Sequence, residues 1–275
     1  MNAQRVIKSN VTFIRKVDFN QNFKKVVQFY LIMMYHIGME KTEKIRTLTK
    51  EEMRNIVTGG IAISNAATYK RINKMISDGK ISRVATGQYI LDSKERFSYS
   101  LESKTANKVF NCLTKKLNKS ANFIVYESTL LNLFLNHLIA NSTVIVEVEK
   151  DLLQQIYWLL KDEGFKNVLL KPDENENYIY NPFNGEGVIV KSLVSKSPIN
   201  KKEHKITIEK LVVDIVIDKT INMFFEEAEK KDVVSNIFEK YALKFDSVRN
   251  YAKRRHSLDK FLDYVPAKFI SLFYE

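Results

Sequence analysis

A chain of 275 residues, 45% hydrophobic and 28% charged with few Gly and Pro, is long enough for two cores and lies outside the disordered and low-complexity classes. Its single cysteine, Cys112, excludes an internal disulfide and a cysteine-built zinc site, and no apolar run reaches the ~18–20 residues of a membrane span. The net charge of +12 is unevenly placed: residues 1–120 carry 23 Lys+Arg against 9 Asp+Glu, and residues 121–275 carry 21 against 23.

The first segment lacks the apolar core of a signal peptide, so a cytoplasmic location is expected. Phe23, Val26, Val27, Tyr30, Leu31 and Met34 repeat at helical spacing, which predicts an amphipathic helix over 20–38 stopped by Gly38. Thr49 with Glu52 three residues on forms a capping box, opening a short helix to about Val57 that Gly59 and Gly60 end. Ser64 then caps a longer helix over 64–77, stopped by Asp78 and Gly79. Thr68, Ile72, Met75 and Ile76 make its buried face. Asn65, Ala66, Tyr69, Lys70 and Asn73 lie opposite, with Lys74 at the margin. Asn can pair with adenine, Lys reaches phosphate or guanine, and a small Ala lets a helix approach the groove floor.

Residues 80–91 alternate apolar and polar about Thr86 and Gly87, a hairpin signal. Ile81, Val84, Tyr89 and Leu91 supply the apolar positions; Lys80, Arg83 and Gln88 point elsewhere. Helix, glycine turn, longer helix and hairpin is the order of a winged helix–turn–helix. It lies in the basic half, and a localised basic excess is the footprint of a polyanion-binding domain. The expected partner is double-stranded DNA, with Asn65, Tyr69, Lys70, Asn73 and Lys74 towards the major groove and Lys80, Arg83, Thr86 and Gln88 serving the wing. A small α+β domain that binds protein fits the same order of elements.

Residues 94–117 read as a helix with Leu101, Ala106, Val109, Phe110, Leu113 and Leu117 buried, and Cys112 beside them. Lys104, Lys108, Lys115 and Lys116 decorate it, as phosphate contacts or as a solvated face. From residue 121, apolar β-branched runs at 122–127, 143–149, 168–170 and 187–195 alternate with helical segments. The first of these carries Leu130, Leu131, Phe134, Leu135 and Leu138, and the second spans 151–164. Residues 173–177 and 197–204 read as polar loops, and the chain from about 206 as a set of short helices. The expected class is α+β. Residues 1–93 form the winged helix–turn–helix domain with a helical extension, 94–120 a connector, and 121–275 an α/β domain ending in helices.

No Walker loop, GxGxxG, GxSxG or HExxH occurs, and His36, His137, His204 and His256 are scattered, so neither an enzyme nor a cofactor is expected. Glu147, Glu149 and Lys150 superficially resemble a nuclease strand end with Asp214 as the tempting further ligand. They read better as strand-end solvation. Arg249, Lys253, Arg254 and Arg255 cluster near the end, as a solvated edge or a second nucleic-acid contact. A winged-helix-targeted nuclease or other α/β enzyme, and a stand-alone transcription factor, are the alternatives to a repressor.

Residues 79–91, GKISRVATGQYIL, resemble the wing of the AbiEi-type antitoxins, in which Leu or Ile, a basic residue and a short linker precede G-x-Y-x-L. FIVYESTLLNLFLNHLI (123–139), VIVEVEKD (144–151), VIVKSLVSKSP (188–198), ITIEKLVVDIVID (206–218) and YALKFDSVRNYAKRR (241–255) resemble, in that order, the domain that accompanies the wing in one branch of that family. The likeness covers about residues 45–256. It implies the antitoxin of a type IV toxin–antitoxin pair linked to phage abortive infection. Such a protein represses its shared operon at promoter inverted repeats, for which a homodimer on DNA is expected. It also opposes a nucleotidyltransferase-like toxin without needing a stable complex. Residues 1–40 have no counterpart in the pattern.

Overall fold

Thr49 ends strand β1 (Leu48–Thr49) and caps helix α1 (Lys50–Thr58). Its hydroxyl accepts from the Glu52 amide at 3.2 Å, while the Glu52 carboxylate accepts from the Thr49 amide at 2.9 Å. This is the reciprocal box expected from the Thr-x-x-Glu spacing. The structure is a computed structural model that describes residues 45–91, 94–118, 120–135, 137–140, 142–170, 187–222 and 224–274; the helix expected over 20–38 and the loop at 173–177 lie outside them. The described residues divide into two units, 45–96 with 267–274, and 97–266.

In the first unit, Gly59 and Gly60 take φ of +61° and +82° and turn the chain out of α1. Ser64 caps helix α2 (Asn65–Ser77), its Oγ accepting from the Ala67 amide at 3.2 Å. Strands β2 (Ile81–Ala85) and β3 (Gln88–Leu91) follow as a hairpin, and β1 adds to β3, giving an antiparallel sheet of order β1-β3-β2. Register slips between Arg83 and Ala85, leaving Val84 as a bulge that twists the hairpin tip. Leu48, Met53, Val57, Ile72, Met75, Ile81 and Tyr89 form the core, each side chain contributing about 1.5–3 kcal/mol by leaving water. Gly79 is needed on two counts: its φ is +68°, and an added Cβ would sit 2.4 Å from the Lys94 carbonyl oxygen.

The second unit is built on a four-stranded sheet of order β4-β5-β7-β6: β4 (Phe123–Glu127), β5 (Thr143–Val148), β6 (Val168–Leu170) and β7 (Gly187–Ser192). β4 runs antiparallel to β5, and the other pairs are parallel. One face carries Phe123, Val125, Val144, Val146, Val148, Val168, Val188 and Val190. Helices α3 (Lys104–Lys116) and α4 (Leu153–Asp162) cover it with Ala106, Val109, Leu113, Leu153, Ile156 and Leu160. Helix α3, read from the sequence as a connector, is thus a packed layer of this unit, and half-buried Cys112 lies against the same core. Burial on both faces explains why β5 carries the unbroken apolar run Val144–Val146 rather than strict alternation.

After the two-residue strands β8 (Ile199–Asn200) and β9 (Lys205–Ile206), helix α5 (Ile208–Ile217) crosses the sheet's other face, every residue from 208 to 216 buried. Helices α6 (Lys219–Asn222), α7 (Glu227–Lys240), α8 (Phe245–Arg254) and α9 (Leu258–Leu262) complete the unit, with α7 and α8 packed on α5. Helix α10 (Ala267–Ile270) belongs to the first unit, where the Lys94 ammonium lies 4.6 Å from the centre of the Phe269 ring. Among the described residues no helix is long and apolar enough to cross a membrane.

Two expected helices differ from what forms. The segment after β4 is a 3-10 turn, Ser128–Leu133. The Asn132 side chain explains the stop: it accepts from the Ile139 amide at 2.8 Å and donates to the Ile139 carbonyl at 3.2 Å, folding the chain back. The helix expected from 94 begins only at Lys104. The Glu127 carboxylate captures the Glu102 and Ser103 amides at 2.7 and 3.1 Å and fixes the helix start there.

Candidate nucleic-acid interface

Helix α2 presents two chemically distinct sides. Thr68, Ile72 and Met75 are buried, whereas Asn65, Ala66, Tyr69, Lys70, Asn73 and Lys74 are exposed and form one continuous surface. Lys70, Asn73 and Lys74 point outward as the sequence spacing predicts. Asn65 is less available, because its Oδ1 accepts from the Arg54 guanidinium at 3.2 Å. Tyr69, 43% exposed, lies under the Lys50 ammonium, 5.1 Å from the ring centre.

Sequence reasoning missed Lys50, Arg54 and Arg71. Arg54 also donates to the Ile63 carbonyl at 3.1 Å, and Arg71 to the Val57 carbonyl at 3.1 Å, so two guanidiniums pin the α1–α2 turn. Lys50 occupies the first position of α1, where the helix dipole disfavours a cation. That misplacement was the available signal.

On the hairpin, Arg83 braces the tip rather than projecting freely: it donates to the Ala85 carbonyl at 3.4 Å and the Thr86 hydroxyl at 3.2 Å. Thr86 is exposed at the turn, which Gly87 allows with φ +81°. Lys80 is exposed beyond α2. Gln88 is half-buried, with its Oε1 buried and lacking a hydrogen-bond partner among the described residues. The expected set therefore separates into an outward group on α2 (Tyr69, Lys70, Asn73 and Lys74) and a hairpin group in which Arg83 is partly structural.

The second unit holds a different constellation, on the sheet face turned towards α5. Glu147 on β5, Lys191 on β7, Lys210 and Asp214 on α5, Asp218 beyond it and Arg255 after α8 form one ion-pair network. Lys210 donates to Glu147 at 2.9 Å and to Asp214, and Lys191 donates to Asp218 at 2.6 Å. Arg255 donates to Asp214 at 2.9 Å. The Tyr126 hydroxyl donates to Glu147 at 2.7 Å and the Tyr251 hydroxyl to Asp214 at 2.9 Å.

Glu147, Lys210 and Asp214 are at most 1% exposed. Burial pushes the Glu147 carboxyl up, but the Lys210 and Lys191 ammoniums outweigh it and hold it below the usual carboxylate range. Asp218 is held down in the same way, first by Lys191 and then by Lys210. Asp214 runs the other way: burial raises it, and Lys210 draws it only part of the way back.

This corrects the reading of Glu147 as strand-end solvation. Glu149 and Lys150 do behave so, both exposed, with Glu149 accepting from the Asn122 side chain at 2.6 Å. The tempting Asp214 does meet Glu147, but through an ammonium rather than a shared metal. Among the described residues no group of three or more His, Cys, Asp or Glu is arranged to hold a metal ion. The basic cluster expected at 249–255 is not one patch either: Arg255 enters the network, and Arg254 donates to Ser195, its side chain at 2.8 Å and its carbonyl at 3.3 Å. The signal missed was Lys210 and Asp214 four residues apart inside an otherwise apolar helix.

Glu127 is a further buried acid, with no cation paired to it among the described residues. Its carboxylate accepts from the Tyr99 hydroxyl at 3.0 Å and the Ser142 hydroxyl at 2.9 Å, besides the two amides ahead of α3. Burial raises the carboxyl, and the hydrogen bonds, from Ser103 above all, more than compensate and lower it. Glu127→Gln should cost the second unit about 2–3 kcal/mol, since an amide brings donors towards donors and drops the charge-assisted bonds. A lowered carboxyl contributes stability above its unfolded pKa of about 4.3, lost as pH falls through the folded value. Urea titrations should therefore show the gap between wild type and variant closing below pH about 4. A gap constant with pH would mean that the charge is not what stabilises.

The model of DUF6577, a family of unknown function, matches residues 67–270, from the first turn of α2 through the second unit into α10. No curated protein matches the chain.

Proposed function

The chain belongs to the DUF6577 family, and we propose that it is a sequence-specific DNA-binding repressor whose first unit is a winged helix–turn–helix. In this reading α1 and α2 are the helix pair, α2 enters the major groove, and the β2–β3 hairpin is the wing. The observation that carries it is the outward side of α2, where Ala66, Tyr69, Lys70, Asn73 and Lys74 are exposed while Thr68, Ile72 and Met75 fill the core. A helix approaching bases needs such a side: a small residue for close approach, Asn for base edges and Lys for phosphates. Lys50, Arg83 and Thr86 would then follow the backbone beside it.

The DNA would be promoter inverted repeats, bound by a cytoplasmic homodimer. On the likeness of its segments to the AbiEi-type antitoxins, the second unit would oppose a nucleotidyltransferase-like toxin without a stable complex, and no cofactor would be required. The DNA-binding part is tested with the full-length protein, a labelled duplex from the promoter of its own operon and a scrambled control. Asn73→Ala should lower promoter affinity by about 10–100-fold, the worth of one bidentate base contact. Affinity for the scrambled duplex should hardly move. Equal losses on both duplexes would remove Asn73 from base reading.

A further inference from the structure

We propose that the second unit carries its own phosphate-backbone contact: the outward stripe of helix α3 formed by Lys104, Lys108, Asn111 and Lys115. At 100° per residue these four positions fall within about 60° of arc and span about 16 Å of helix axis. All four are exposed, while Ala106, Val109 and Leu113 are fully buried on the opposite side. The stripe carries no acidic residue. Across residues 99–119 the sequence holds a single acid, Glu102, which lies before the helix cap. Lys116, which falls off the stripe, is the lysine paired with Glu163, at 3.1 Å.

The arrangement works against the helix at its start, while Lys115, in the last turn, suits the dipole. Lys104 stands at the first helical position, the positive end of the dipole, where an acid is favoured. Lys104 and Lys108 are like charges four residues apart, a spacing at which opposite charges stabilise and like charges repel. A solvated surface selected for stability would interleave acids. The buried Glu127 carboxylate, bonded to the amides at the helix start, offsets part of this penalty without neutralising the outward face.

A row of cations kept at such a cost fits a polyanion with closely spaced charges. The stripe holds no apolar or aromatic residue, which a protein partner would need as an anchor, and lysine is depleted in protein–protein interfaces. The partner it fits is therefore the phosphodiester backbone of a duplex, gripped without sequence preference. This rests on the proposed DNA-binding function and adds to it a site outside the helix–turn–helix.

The test compares wild type with Lys104→Ala/Lys108→Ala/Lys115→Ala, full length, on the promoter and scrambled duplexes over a salt series. Alanine is the best helix former, so α3 is retained. A second variant with Gln at the same positions keeps the side-chain length. Loss of three phosphate contacts should make the slope of log affinity against log salt shallower by about 2–3. Binding at ~0.1 M salt should weaken about tenfold or more, alike on both duplexes. If wild type binds the promoter duplex and both variants keep its slope, the stripe is not a DNA contact; an acidic protein surface would be its next candidate. If wild type binds neither duplex, the proposed function fails and this contact fails with it.

Discussion

Lys210→Met should cost about 3–5 kcal/mol of unfolding free energy, the usual consequence of removing one partner from a buried ion pair. Lys210 is fully buried, and its ammonium touches both Glu147 and Asp214. Methionine restores the volume but leaves three carboxylates with Lys191 and Arg255 as their cations among the described residues. Glu147 then keeps the Tyr126 hydroxyl and a Lys191 contact at 3.5 Å, too little to offset desolvation. Trp158, the chain's single tryptophan, lies on α4 of the same unit and reports its unfolding in urea. Adding Glu147→Gln restores two cations against two anions, so the double variant should be more stable than the sum of the single losses predicts, by about 1–3 kcal/mol. A Lys210→Met protein as stable as wild type would show that the network contributes nothing to holding α5 on the sheet.

Lys70→Glu combined with Lys74→Glu should weaken duplex binding by about 100-fold or more at ~0.1 M salt, on promoter and scrambled DNA alike. Two phosphate contacts disappear and two like-charge repulsions replace them, at the surface that α2 would press against the groove. Both side chains are exposed and neither is in the core, so the fold should persist by circular dichroism. The fold cost is confined to Lys74→Glu, which places an anion in the last turn of α2 where a cation suits the dipole, about 0.5 kcal/mol. A gel shift unchanged by the pair would mean that α2 is not the reader.

What could be read from the sequence was local. The Thr49–Glu52 box, the Ser64 cap, the Gly59–Gly60 turn and the hairpin at Gly87 each depend on residues within a few positions of one another, and each forms as its spacing predicts. The strands of the second unit were legible for the same reason: a short β-branched run such as TVIVEV favours a strand. Helix starts and stops set by distant partners were not legible. Helix α3 begins where Glu127, 25 residues on from Glu102, captures its amides, and no pattern near 94–104 encodes that carboxylate.

The buried network failed to declare itself for the same physical reason. Glu147 meets Lys210 across 63 positions and Asp214 meets Arg255 across 41. Read locally, Glu147 near a strand end is a solvated residue. Only once α5 covers that face does solvation become impossible and pairing compulsory. On α2 the exposed face was predicted from periodicity, but its bracing by Arg54, Arg71 and Lys50 depends on the angle between α1 and α2, which periodicity does not contain.

The most direct test of sequence-specific DNA binding is the affinity of the full-length protein for its own promoter duplex relative to a scrambled duplex of equal length, at one fixed salt concentration. A reader of bases should prefer the promoter by about 10³-fold or more, with scrambled binding left to the phosphate contacts. A ratio near unity would contradict the assignment of α2 as a recognition helix.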